Sequence, residues 1–220
     1  MFKFFVILLL LVILVAGGIW FSAQSLPGWY EEDEPAVSAS ERLSQQVQQQ
    51  GVGGFLGSKL SQILGGKLVL NETEFNALLM ASLRADKDGQ KLLAVSDAVN
   101  ATIHPTGIEI GAVINLNKVE KIDARARETV EKVNQIFPFL NKSRVAVALI
   151  GMPVARNGEL GVKDDFSVKV GAIPISNDSL RQLGANVERA NYESLDLKYL
   201  RVKSVSLRDG EIELSVTPRL

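Results

Sequence analysis

The side chains able to do chemistry are few in this 220-residue chain, which has one histidine and no cysteine. Without cysteine there is no thiolate ligand for zinc, no sulfur nucleophile and no disulfide framework. The histidine, His104, stands beside Pro105 in a predicted hairpin turn, where a solvated surface role is expected, and no serine occupies a G-x-S-x-G elbow. Asp164 and Asp165 are adjacent, and adjacent positions on an extended strand point to opposite faces, so they do not converge on one atom as a paired acid and base would. The glycines at 51, 53, 54 and 57 neither follow a strand nor end in Gly-Lys-Ser/Thr, which argues against a phosphate loop. No catalytic residue, metal site or cofactor is expected.

Charge points the same way. With 24 basic and 25 acidic residues the chain carries no electrostatic footprint for nucleic acid. What remains is apolar recognition, and two sets of residues suit it. Val52, Phe55, Leu56, Leu60, Ile63 and Leu64 form one stripe at helical spacing in a glycine-rich segment, and glycine weakens a helix by about 1 kcal/mol per residue, so the stripe must gain stability by docking. Residues 145–150 are all apolar, so both faces of that strand need cover. Ala146, Ala148 and Gly151 keep one face shallow enough for an acyl chain or a closely packed helix, and Ala146, Ala148 and Ile150 are the candidate ligand contacts.

The elements that must hold these residues begin with a hydrophobic leader. Residues 4–21 contain no charged side chain, and as a helix would span about 27 Å, the thickness of a hydrocarbon core. Lys3 precedes the run and residues 31–34 are all acidic, so the positive flank keeps the N-terminus in the cytoplasm. Trp20, Phe21, Trp29 and Tyr30 fall where aromatic rings prefer the head-group region. A competing reading, a signal peptide cleaved near Val15, Ala16 and Gly17, gives the domain the same address. Pro27, Gly28, the acidic run and Pro35 predict an irregular tether over 23–40.

Beyond the tether, a strand is expected at 67–70, then a helix to about residue 84 capped by Asn71 with Glu74 three positions later. Asp88-Gly89 predicts a turn. Alternation places a hairpin over 99–116, a helix over 122–137, strands over 144–154 and 166–175, a short helix over 179–183 and a final hairpin through Asp209-Gly210. The fold class is α+β: an N-terminal transmembrane helix followed by a mostly antiparallel, curved β-sheet with packed amphipathic helices. The expected organisation is a signal-anchor at 1–22, an acidic tether at 23–40 and an extracytoplasmic domain at 41–220.

The order of these elements resembles the YpmS-type family of small membrane-anchored bacterial proteins, whose function is undetermined. The resemblance is carried by the hydrophobic anchor, the LNETEFNALL helix and the G-x-I-P-I segment at Gly171, Ala172, Ile173, Pro174 and Ile175. It implies a single-pass protein of the bacterial inner membrane with its domain in the periplasm or outside, and it supplies no substrate. The expected function is a non-enzymatic envelope domain that binds a lipid or other apolar ligand. The alternatives are a protein-interaction or scaffolding module with an envelope protein partner and, last, an envelope enzyme.

Overall fold

The computed structural model describes residues 26–32, 34–119, 144–163, 166–176 and 200–218. Helices α1 (Gly28–Glu32) and α2 (Glu34–Ser58) occupy the stretch where prolines and acids predict an irregular tether. Pro35 falls in the first turn of α2, where its missing N–H has no intrahelical partner to lose, so it starts the helix instead of breaking it. Inside α2 the backbone leaves helical geometry at Gly51, with φ 72° and ψ 163°, a conformation that only glycine adopts readily. The short helix α3 (Leu60–Leu64) follows.

Strand β1 (Lys67–Asn71) leads into helix α4 (Glu72–Ala85), whose capping box is present as the sequence spacing predicts. Asn71 Oδ1 accepts from Glu74 N–H at 2.9 Å, and Glu74 Oε2 accepts from Asn71 N–H at 3.1 Å. Asp88-Gly89 is not a turn. Asp86 caps a further helix, α5 (Lys87–Val95), its Oδ2 accepting from both Asp88 and Gly89 N–H, so the glycine sits in the first helical turn. Its backbone lies so close to that of Leu83 that a β-carbon would collide.

The hairpin of β2 (Ser96–His104) and β3 (Gly107–Asn115) ends in α6 (Leu116–Val119). Each of the next two expected strands divides in two. The first becomes β4 (Arg144–Gly151) and β5 (Pro153–Arg156), which enter different sheets, and β5 turns through Asn157-Gly158 into β6 (Glu159–Val162). The second becomes β7 (Ser167–Val170) and β8 (Ile173–Ser176), separated by Gly171 at φ 57°. Strands β9 (Leu200–Arg208) and β10 (Glu211–Pro218) form the last hairpin.

The expectation of one transmembrane helix ahead of one curved sheet is corrected. The α+β class and the antiparallel pairing hold, but the described strands make three sheets, ordered β1-β10-β9, β2-β3-β4-β7-β8 and β5-β6. No described helix is long and apolar enough to cross a membrane. The longest, α2, is ruled out by composition: Val47, Phe55 and Leu56 are buried on one stripe while Gln45, Gln46, Gln48, Gln49 and Gln50 are exposed. The apolar stretch 4–21 and the helices expected at 122–137 and 179–183 lie outside the described residues.

One core joins the helices to the three-stranded sheet. Phe55, Leu56 and Ile63 pack with Leu68 and Leu70 of β1, Phe75 and Leu78 of α4, and Ile212, Leu214 and Val216 of β10. Ala101, Ile103 and Ile108 extend it to the first hairpin of the five-stranded sheet. Helix side chains close two sheet edges. At β1, Val69 N–H donates to Gln62 Oε1 and Val69 C=O accepts from Lys59 Nζ, which also meets Glu74 at 2.6 Å. At β2, buried Asn76 donates to Ala101 C=O at 2.7 Å and accepts from Ala101 N–H at 2.6 Å. Next to it, Ile103 N–H donates to Glu72 Oε2 at 2.9 Å and Ile103 C=O accepts from Gly210 N–H at 3.0 Å. These bonds occupy part of each edge ladder with groups of the chain itself.

Candidate functional site

The strand pairing of the five-stranded sheet separates two unlike faces. Ala101, Ile103, Ile108, Ile110, Ala112 and Ile114 point inward by the period-two rule. The other face carries Asn100, Thr102 and His104 on β2, opposite Gly111, Glu109 and Gly107 on β3. Continuing across the sheet, Ile150 lies opposite Glu109 and Ala148 opposite Gly111, and Ser167 and Lys169 of β7 pair with Ile150 and Ala148. This outer face is therefore polar on β2, shallow in the middle and polar again on β7.

A segment from the start of the described chain lies over the shallow middle. Trp29 of α1 packs on Gly111 so closely that a β-carbon there would stand 3.0 Å from its Cζ2. Tyr30 meets Trp29 edge to face, with ring centroids 6.2 Å apart. Beside the indole is an open groove of about 590 Å3, lined by Leu26, Pro27 and Trp29 on one side and by Thr102, Glu109 and Lys169 on the sheet. Gly28, Glu72, Asn100, His104, Gly171 and Ala172 complete its wall. That volume falls within the range of small-molecule clefts.

Charge in the groove is organised around one ion pair, Lys169 Nζ to Glu109 Oε2 at 2.8 Å. The register makes this pair cross β4 diagonally between Ala148 and Ile150, and the small side chain at 148 leaves room for it. Among the described residues, the side chains of Asn100, Thr102 and His104 have no hydrogen-bond partner, so their donors and acceptors are available to a ligand. No group of three or more metal-ligating side chains occurs among the described residues.

A second polar cluster closes the far end of the sheet. Asp97 of β2 accepts from Lys118 at 2.8 Å, from Arg144 and from Asn115. Burial pushes the Asp97 carboxyl up, but the hydrogen bonds from Lys118, Arg144 and Asn115 outweigh it and hold the group below the usual carboxylate range. All its partners are structural neighbours, so this cluster fixes the sheet and leaves the groove as the candidate site.

The residues expected to bind an apolar ligand separate into two places. Phe55, Leu56 and Ile63 are buried in the helix core with Val52 packed against it, whereas Leu60 and Leu64 are exposed, Leu64 at 72 %. Ala146 and Ala148 are buried on the outer face of β4 with Ile150 half-buried beside them, and they belong to no cluster with the helix residues. The outer face of β4 and the glycine-rich helix therefore share no buried cluster, and none of Ala146, Ala148 and Ile150 lines the groove beside Trp29. Of the aromatic residues assigned to the membrane interface, Trp20 and Phe21 lie outside the described residues, while half-buried Trp29 is spent on the sheet. Asp164 and Asp165 also lie outside them.

Glu72, Glu109 and Lys169 escaped sequence reasoning. Alternation does mark Asn100, Thr102 and His104 as one strand face, and Glu109 as polar between two isoleucines. What it cannot give is that β4 and β7 continue that face, because non-local strand order leaves no local pattern. No protein-family model matches the chain, and no curated protein matches it. The resemblance to YpmS-type proteins rests on the residues quoted for it.

Proposed function

We propose that the chain is a non-enzymatic binding module of the bacterial envelope, held at the membrane by its apolar leader, and that the groove beside Trp29 takes an amphipathic lipid. One observation carries this reading. Leu26, Pro27, Gly28 and Trp29 supply four of the twelve residues that line the groove, and Leu26 follows Phe21, the end of the apolar run, by five positions. Five residues reach at most about 18 Å. With residues 4–21 in the bilayer, that tether keeps the groove within about 18 Å of the edge of the hydrocarbon core.

The lining suits such a ligand. Leu26, Pro27, Trp29 and Ala172 offer apolar contact, while Asn100, Thr102, Glu109 and Lys169 offer hydrogen bonds and charge. The domain stands outside the cytoplasm on the sequence argument from Lys3 and the acids at 31–34. Native mass spectrometry of the full chain released from detergent tests the reading. Retained lipid that is lost on Thr102→Trp, which fills the groove, supports it. A chain that carries no lipid and gains none on titration overturns it.

A second reading, a scaffold, is favoured by one feature. Leu60 and Leu64 stand four positions apart on α3, both exposed, where an apolar partner surface could cover them. A protein adduct through α3 that survives Thr102→Trp would support the scaffold.

A further inference from the structure

The charges in the groove suit a ligand that carries both signs. Lys169 is the one permanent cation among the described lining residues, and its partner Glu109 is joined in the same groove by a second carboxylate, Glu72. An anionic head group would have to take Lys169 from Glu109 and leave two carboxylates without a counter-charge. A purely cationic one would use Glu109 and Glu72 but offer no acceptor to Lys169. An uncharged ligand would strip water from the ion pair and return nothing to it. A ligand with a phosphate and an amine a few bonds apart exchanges one ion pair for two, the phosphate accepting from Lys169 and the amine donating to Glu109.

The form of the amine follows from the acceptors. A primary ammonium has three N–H donors, and the groove offers carboxylate oxygens at Glu109 and Glu72 together with Asn100 Oδ1 and Thr102 Oγ1. Glu72 keeps this role while one oxygen holds Ile103 N–H at 2.9 Å, because an ionised carboxylate has several acceptor sites. A trimethylammonium group has no N–H and would leave these acceptors unfilled.

We infer that the groove recognises a phosphoethanolamine-type zwitterion, its phosphate on Lys169 and its primary ammonium on Glu109 and Glu72. This rests on the groove being the lipid site proposed above. The chemistry is common to a lipid head group and to a free phosphodiester such as glycerophosphoethanolamine, so both belong in the test.

The experiment uses the full chain in dodecyl maltoside with Trp20→Phe, which leaves Trp29 as the one indole. It is titrated with dihexanoyl lipids bearing ethanolamine, choline or glycerol head groups and with glycerophosphoethanolamine, following Trp29 emission and heat. The ethanolamine lipid is expected to saturate with a Kd at least tenfold below those of the other two lipids. Glu109→Gln and Lys169→Met are each expected to weaken it tenfold or more, and the conservative Lys169→Arg to retain the preference. A melting temperature measured on each variant separates lost binding from lost fold. Tighter binding of the lipid than of glycerophosphoethanolamine assigns a membrane ligand, and equal binding assigns the head group alone; both support the inference. Equal affinity for all three lipids, or binding indifferent to the charge variants, overturns the head-group assignment and leaves the lipid site standing. Saturation by none of them removes the lipid site itself.

Discussion

Single atoms decide several features of this molecule. Gly111 admits the Trp29 indole because it has no β-carbon; valine there is expected to push the ring off the sheet. In a Trp20→Phe background, Gly111→Val should shift the Trp29 emission to longer wavelength, and an unchanged spectrum would mean the indole rests elsewhere. Asn76 is the clearest case of a polar residue that stabilises through its geometry. It is buried, and its side chain pairs with both the N–H and the C=O of Ala101. Asn76→Ala leaves two backbone groups without partners at about 1–3 kcal/mol each, so a loss of about 2 kcal/mol or more is expected in urea unfolding. Nothing in the sequence marks it, because it flanks the Phe75, Leu78, Leu79 and Leu83 stripe and reads as one more solvent-facing amide.

Elements were legible where their signals are local. The capping box at Asn71 and Glu74, the first hairpin and the last one follow from residues within one turn or one strand of each other. The same reasoning misread Asp88-Gly89, because two turn-forming residues also suit the first turn of a helix when an aspartate two positions earlier caps it. It misread the tether too, since Pro35 is harmless at a helix start. The division of β4 from β5 and of β7 from β8, and the placing of Lys169 beside Glu109, depend on pairing between distant strands and left no local trace. Helix α2 turns at Gly51, which lets Val47 before the bend and Phe55 and Leu56 after it reach one core. Gly51→Ala is expected to cost about 1–3 kcal/mol, read as a lower midpoint of thermal unfolding. A larger side chain at this position with no loss of stability would show that the bend is not required.

At the scale of the whole molecule, the groove and the two larger sheets are connected through α1 and α4. Glu72 lines the groove and closes the β2 edge, and Gly210 of the last hairpin bonds to both Ile103 and Glu72, so the site stands where the two larger sheets meet. The far end of the five-stranded sheet is held by Asp97, whose carboxyl is kept below its usual value. A depressed carboxyl contributes stability that is complete above about pH 4 and is lost as the pH falls through the folded value. Asp97→Asn is therefore expected to lower the melting temperature at pH 7 and to narrow the difference between pH 7 and pH 3; an equal shift at both would exclude the ion cluster as the cause. The proposal of a lipid-binding module at the membrane is tested most directly by photo-crosslinking the full chain in bacterial membranes, with a benzophenone amino acid placed at Thr102 in the groove or at Leu64 on α3. A lipid-sized mass adduct at Thr102 and none at Leu64 is the expected result, and lipid adducts confined to Leu64, or absent from both positions, would contradict it.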